Sequence, residues 1–110
     1  MTFDEYQKAA MRTAGSAGTD KTKGLNVTGL GCSGEAGEVA GVVKKHLFHH
    51  HPLDEAKLRE ELGDVLWYIA LGAHSLGTTL ENIAKENVEK LKARYPNGFE
   101  TERSMNRESA

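Results

Sequence analysis

The chain has 110 residues, enough for one domain, with 38% hydrophobic residues and a single cysteine, Cys32. One cysteine excludes a disulfide framework and any multi-cysteine zinc site. Fourteen Lys and Arg against sixteen Asp and Glu leave a formal charge of −2 with no basic stripe, which argues against a duplex-binding protein.

Thr2-Phe3-Asp4-Glu5 reads as a capping box opening a first helix that runs to about Thr13, with Phe3, Tyr6, Ala10 and Met11 on its inner face. This opening lacks the basic and apolar regions of a signal peptide. The longest uncharged stretch, Val65–Leu80, is too short and polar to span a bilayer. A cytoplasmic protein that engages neither membrane nor nucleic acid is expected. Residues 14–24 are small and polar and read as a loop. Within it, Gly15–Thr22 misses a phosphate-binding loop, because Asp20 stands where that motif needs glycine and no strand precedes it.

A second helix is expected over 25–49, its first part glycine-rich and weakly specified, with Pro52 beyond its end. His49, His50 and His51 are adjacent and do not point to one centre, so a solvated turn is expected there. Asp54 is a good N-cap for a third helix reaching about Ser75, and Gly77 suits its C-terminal turn. Thr78 and Glu81 form a candidate capping box for a fourth helix to about Tyr95. Pro96-Asn97-Gly98 reads as a turn and 100–110 as a polar, frayed tail, which assigns the domain to 1–99. No segment alternates with period two, so the fold is expected to be all-α, a four-helix bundle.

The informative residues are carboxylates where apolar side chains belong. On a wheel of about 100° per residue, Glu35 falls among Val39, Val42 and Val43, and Glu38 lies on the edge of that stripe. In the third helix Leu58, Leu62, Val65, Leu66 and Ile69 form a stripe, and Glu61 and Asp64 sit beside it, three residues apart. Antiparallel helices would bring the two pairs together. Four converging carboxylates repel unless a cation compensates them, and oxygen-only ligands suit a hard ion, Mg²⁺ or Mn²⁺. A ferritin-like di-iron site is set aside because no glutamate is followed by histidine three residues later.

Gly34-Glu35-Ala36-Gly37-Glu38, followed after residues 39–60 by Glu61-Leu62-Gly63-Asp64, resembles the paired acidic motifs of MazG-type nucleotide pyrophosphohydrolases. Asn87-Val88-Glu89-Lys90-Leu91-Lys92-Ala93-Arg94-Tyr95-Pro96 is similar to the segment closing many short members. The resemblance covers about residues 3–99. It implies an all-α oligomer that uses Mg²⁺ to cleave a nucleoside triphosphate to the monophosphate and pyrophosphate. Glu35, Glu38, Glu61 and Asp64 would be the metal ligands. Glu38 is the first choice of general base, with Glu35 and Glu61 as alternatives. Phosphoribosyl-ATP hydrolysis and a non-catalytic nucleotide- or metal-binding helical oligomer are the competing readings.

Candidate substrate contacts are Lys44, Tyr68, and the Asn87, Lys90 and Arg94 face of the fourth helix. Trp67 points away from the third-helix stripe and is assigned to a subunit interface. Val65–Leu71 is apolar on all sides, more than one bundle face buries, so a dimer or dimer of dimers is expected.

Overall fold

The computed structural model describes residues 1–107. Its helices are α1 (Phe3–Met11), α2 (Lys21–Phe48), α3 (Glu55–Ser75), α4 (Leu80–Arg94) and α5 (Thr101–Met105), with a 3-10 turn at Gly15–Gly18. No strand occurs among the described residues, and the fold class is all-α. None of these helices is long and apolar enough to cross a membrane.

The end signals act where the sequence places them. Thr2 Oγ1 accepts the Glu5 amide at 3.1 Å, and Glu5 Oε1 accepts the Thr2 amide at the same distance, closing the capping box. Asp54 Oδ1 accepts the Lys57 amide at 3.0 Å. Gly77 turns the chain after α3 at φ 72°. The expected loop over 14–24 is corrected. Asp20 caps α2 by accepting the Lys23 amide, so the helix begins at Lys21 and the 3-10 turn fills the preceding residues.

The chain divides into two compact units, Met1–Leu80 and Glu81 onward. In the first, α3 packs along α2 and also against α1. The α2–α3 seam runs antiparallel through Gly24 against Ser75, Thr28 against Gly72, and Gly31 against Tyr68. These positions recur at spacings of three and four, the period that keeps one helix face on a partner. The glycine-rich part of α2 is therefore well specified rather than loose. A Cβ on Gly31 would collide with the Tyr68 ring, and one on Gly24 would collide with Ser75 Oγ and the Ala17 carbonyl.

On α1, Ala10 is buried and Tyr6 and Met11 are partly buried on the expected inner face, but Gln7 is buried as well and Phe3 is half exposed. The reason is a polar clamp. Gln7 Nε2 donates to the Thr78 carbonyl at 3.1 Å, and its Oε1 accepts the Leu80 amide at 2.6 Å. Trp67 is also corrected. Its Nε1–H donates to the Ala10 carbonyl (3.1 Å) and Thr13 Oγ1 (3.0 Å), docking α3 on α1 within the chain. Leu62, expected in the core stripe, is 51% exposed, because the side of α3 that meets α2 is the one bearing Tyr68, Gly72 and Ser75. Cys32 is partly buried.

At the far end of α2, His50 takes φ 59°, the His51 amide donates to the Lys45 carbonyl, and a His46 ring nitrogen lies 2.9 Å from the His51 carbonyl. The histidines form an exposed turn. In the second unit, the Tyr95 and Phe99 rings approach to 5.2 Å around a turn through Gly98, where φ is 90°. Residues 101–105 form α5 where fraying is expected, and Arg103 Nε–H donates to the Arg94 carbonyl at 2.7 Å, tying that helix to the end of α4. Residues 108–110 of the expected tail lie outside the described residues.

Candidate metal centre and catalytic site

The α2–α3 seam that pairs Gly31 with Tyr68 reaches Glu35 and Asp64 about one turn further along and Glu61 about two. One carboxylate oxygen from each lies within 4.8 Å of the other two. Small residues let the helices approach, and the next turn of the same seam carries acids. Glu61 is 5% exposed, Glu35 half-buried and Asp64 exposed, so the cluster opens outward on the Asp64 side.

The electrostatics are those of a cation site. Glu35 is pushed up to about 7, first because it shares a hydrogen-bonded proton with Glu61, then by burial and by the charges of Glu61, Asp64 and Glu38. Its Oε2 is buried and has no hydrogen-bond partner. A buried, unpartnered carboxylate oxygen is costly unless something electropositive meets it. Glu61 is held below the usual carboxylate range, first by Lys57 and then by the shared proton. Three converging oxygen donors, beside a buried and unpartnered Glu35 oxygen, therefore fit a hard divalent ion. Glu38 is exposed and stands outside the three-oxygen group, although its charge acts on Glu35.

Two hollows adjoin the cluster. One of about 360 Å³ is lined by Glu35, Asp64, Trp67 and Tyr68, and another of about 400 Å³ by Val27, Leu30, Gly31, Gly34, Glu35 and Tyr68. Glu35 and Tyr68 line both. Its ring rests on Gly31 and meets Trp67 edge to face, with centroids 5.0 Å apart. Lys44 is exposed near the C-terminal end of α2. Asn87, Lys90 and Arg94 lie in the second unit on one face of α4.

Two residues escape the wheel argument. Lys57 Nζ lies 2.9 Å from Glu61 Oε1; the signal in the sequence is its position four residues before Glu61. Tyr6 on α1 has its hydroxyl pKa raised, first by burial and then by the charge of Asp64. No spacing within one helix announces that contact, because it joins α1 to α3.

The family model of the MazG nucleotide pyrophosphohydrolase domain matches residues 26–99, which include all four acids of the two motifs. Gene 37 protein of Mycobacterium phage L5 is 38% identical over 105 residues, covering 89% of this chain and 92% of that protein. No solved structure gives a significant match.

Proposed function

The chain belongs to the MazG nucleotide pyrophosphohydrolase family, and on that premise we propose that it hydrolyses a nucleoside or deoxynucleoside triphosphate at the α-phosphate, yielding the monophosphate and pyrophosphate. The observation that carries this is the convergence of Glu35, Glu61 and Asp64 with one buried, unpartnered oxygen. These residues, with Glu38, would hold Mg²⁺, for which Mn²⁺ substitutes. Such an ion neutralises triphosphate oxygens and lowers the pKa of a bound water.

The chain's own groups supply the rest. Glu38, outside the three-oxygen group and so not fully used as a ligand, would accept the proton of the attacking water. Glu35 and Glu61 are the alternatives. Tyr68, and Trp67 beside it, line the hollow next to the carboxylates and offer aromatic faces to a base or sugar. Lys44, and Asn87, Lys90 and Arg94 on α4, are the proposed phosphate and sugar contacts. The test is a panel of all nucleoside and deoxynucleoside triphosphates with Mg²⁺. Pyrophosphate release that EDTA stops is the expected result. Orthophosphate alone, or no product from any nucleotide, would overturn the reading, and turnover of phosphoribosyl-ATP alone would replace it with that narrower activity.

The metal reading carries a pH signature. Glu35 keeps its proton up to about pH 7, so metal must expel it. Metal affinity falls as pH drops below that value, by up to about tenfold per unit for one competing proton. In metal-free protein the native state binds this proton more tightly than the unfolded chain. Glu35 therefore makes stability fall as pH rises from the ordinary carboxylate pKa toward about 7. Calorimetric Mg²⁺ titrations at pH 6 and pH 8, in buffers of different ionisation enthalpy, read the proton released. Equal affinity and no proton release would contradict the assignment.

A homo-oligomer, a dimer or dimer of dimers, is part of the proposal. The buried apolar side chains of the described residues are four alanines, Leu71 and Leu80, while Leu30, Leu47 and Phe48 on α2, Leu62 on α3 and Leu76 just after it are between half and four-fifths exposed. So much exposed apolar surface on so small a core favours association. Light scattering after gel filtration should give at least twice the chain mass, and a monomer at micromolar concentration would contradict it.

A further inference from the structure

Lys57 holds a carboxylate that belongs to the three-oxygen cluster. Its Nζ lies 2.9 Å from Glu61 Oε1 and 3.9 Å from Glu60 Oε2. Glu61 is 5% exposed, whereas the Lys57 side chain is 46% exposed. The asymmetry matters. A buried carboxylate beside two other acids cannot stand unpaired without a large desolvation and repulsion cost. The lysine, on a flexible four-carbon stem, returns its ammonium to water cheaply.

We propose that Lys57 is an internal counter-ion, which neutralises Glu61 in the metal-free protein and is exchanged for the divalent ion when that ion binds. The inference rests on the metal reading above. An ammonium and a divalent cation on one buried carboxylate repel each other, so occupancy by one disfavours the other. The hydrogen bond to Glu61, and then the charges of Glu60, Glu61 and Glu38, favour the charged form of Lys57, so it stands at Glu61 as an ammonium and leaves as one. Lys57 thus keeps the acidic seam folded without metal and weakens metal affinity by the free energy of its own ion pair. It is a positioning residue, since it acts through Glu61.

Mg²⁺ calorimetry at pH 8 on the full chain tests this with three variants. Lys57→Met is expected to bind Mg²⁺ about three- to tenfold more tightly and to melt at a lower temperature without metal. Lys57→Arg keeps the charge and grips a carboxylate through two parallel donors, so it is expected to bind Mg²⁺ several-fold more weakly than wild type. Arg59→Gln removes one positive charge from the same helix while leaving the Lys57–Glu61 pair, and is expected to change affinity by no more than about twofold.

Equal or weaker Mg²⁺ binding by Lys57→Met would overturn the proposal. So would an Arg59→Gln gain as large as that of Lys57→Met, which would mean a general field effect. If Lys57→Met does not fold, the arginine variant decides, and affinity equal to or above wild type overturns the exchange. No divalent binding by wild type or any variant would remove the metal reading along with it, whereas intact binding with unaltered affinities would remove the Lys57 proposal alone.

Discussion

Asp64→Asn is expected to reduce pyrophosphate release by a factor on the order of 10³ while leaving the helices intact and slightly raising metal-free stability. The substitution keeps the side chain's size and one carbonyl oxygen but removes the charge. The Asp64 carboxylate lies within 4.8 Å of Glu35 and Glu61 oxygens, and its charge is one cause of the high Glu35 pKa. Neutralising it relieves repulsion in the empty cluster and deprives the loaded one of a ligand. Activity and stability therefore move in opposite directions, which no purely structural role produces. Steady-state pyrophosphate release and thermal melting by circular dichroism, each with and without Mg²⁺, measure both. An Asp64→Asn protein with full activity would remove this residue from the metal site.

Gly24→Ala and Gly29→Ala, the same change five residues apart on α2, are expected to have opposite signs. In an open helical position, alanine gains roughly 0.5–1 kcal/mol over glycine from backbone entropy and propensity. Nothing lies within 4 Å of a Cβ at Gly29, so that variant gains stability. A Cβ at Gly24 would fall 2.7 Å from the Ala17 carbonyl and closer still to Ser75 Oγ. The Ala17 carbonyl is backbone of the 3-10 turn and cannot swing aside, so α2 must shift away from that turn and from the Ser75 side chain on α3. Overpacking of this kind costs about 1–3 kcal/mol and outweighs the propensity gain. At roughly 4–8 °C per kcal/mol for a domain of this size, melting temperatures separate the two variants clearly. A Gly24→Ala protein as stable as wild type would mean that the seam is not this close. The same logic at Gly31 bears on function, because the atom it excludes belongs to the Tyr68 ring beside the carboxylates.

Helix ends were readable because caps are local. Thr2 with Glu5, Asp54 and Gly77 each act through residues a few positions away. The two acidic pairs were readable because a charge inside an apolar stripe is improbable without compensation. The start of α2 was hidden, because its cap Asp20 sits in a run of small polar residues that reads as loop. The contacting glycines look like weak helix until a second helix is placed against them.

Trp67 and Leu62 were misplaced for one reason. A wheel drawn for one helix ranks faces by apolarity, but α3 touches α2 through Tyr68, Gly72 and Ser75 and touches α1 through Trp67. The wheel puts Glu35 inside the apolar stripe and Glu38 on its edge, and the three-oxygen group contains Glu35 and leaves Glu38 outside. Tyr6 and Gln7 act across elements far apart in the chain, and no local pattern marks such contacts.

Hydrolysis in water labelled with oxygen-18 reads which phosphorus the water attacks. With a turned-over nucleoside triphosphate and Mg²⁺, one labelled oxygen is expected in the nucleoside monophosphate and none in the pyrophosphate, because water attacks the α-phosphorus and pyrophosphate leaves. Label in the pyrophosphate, or release of orthophosphate with a nucleoside diphosphate, would contradict it.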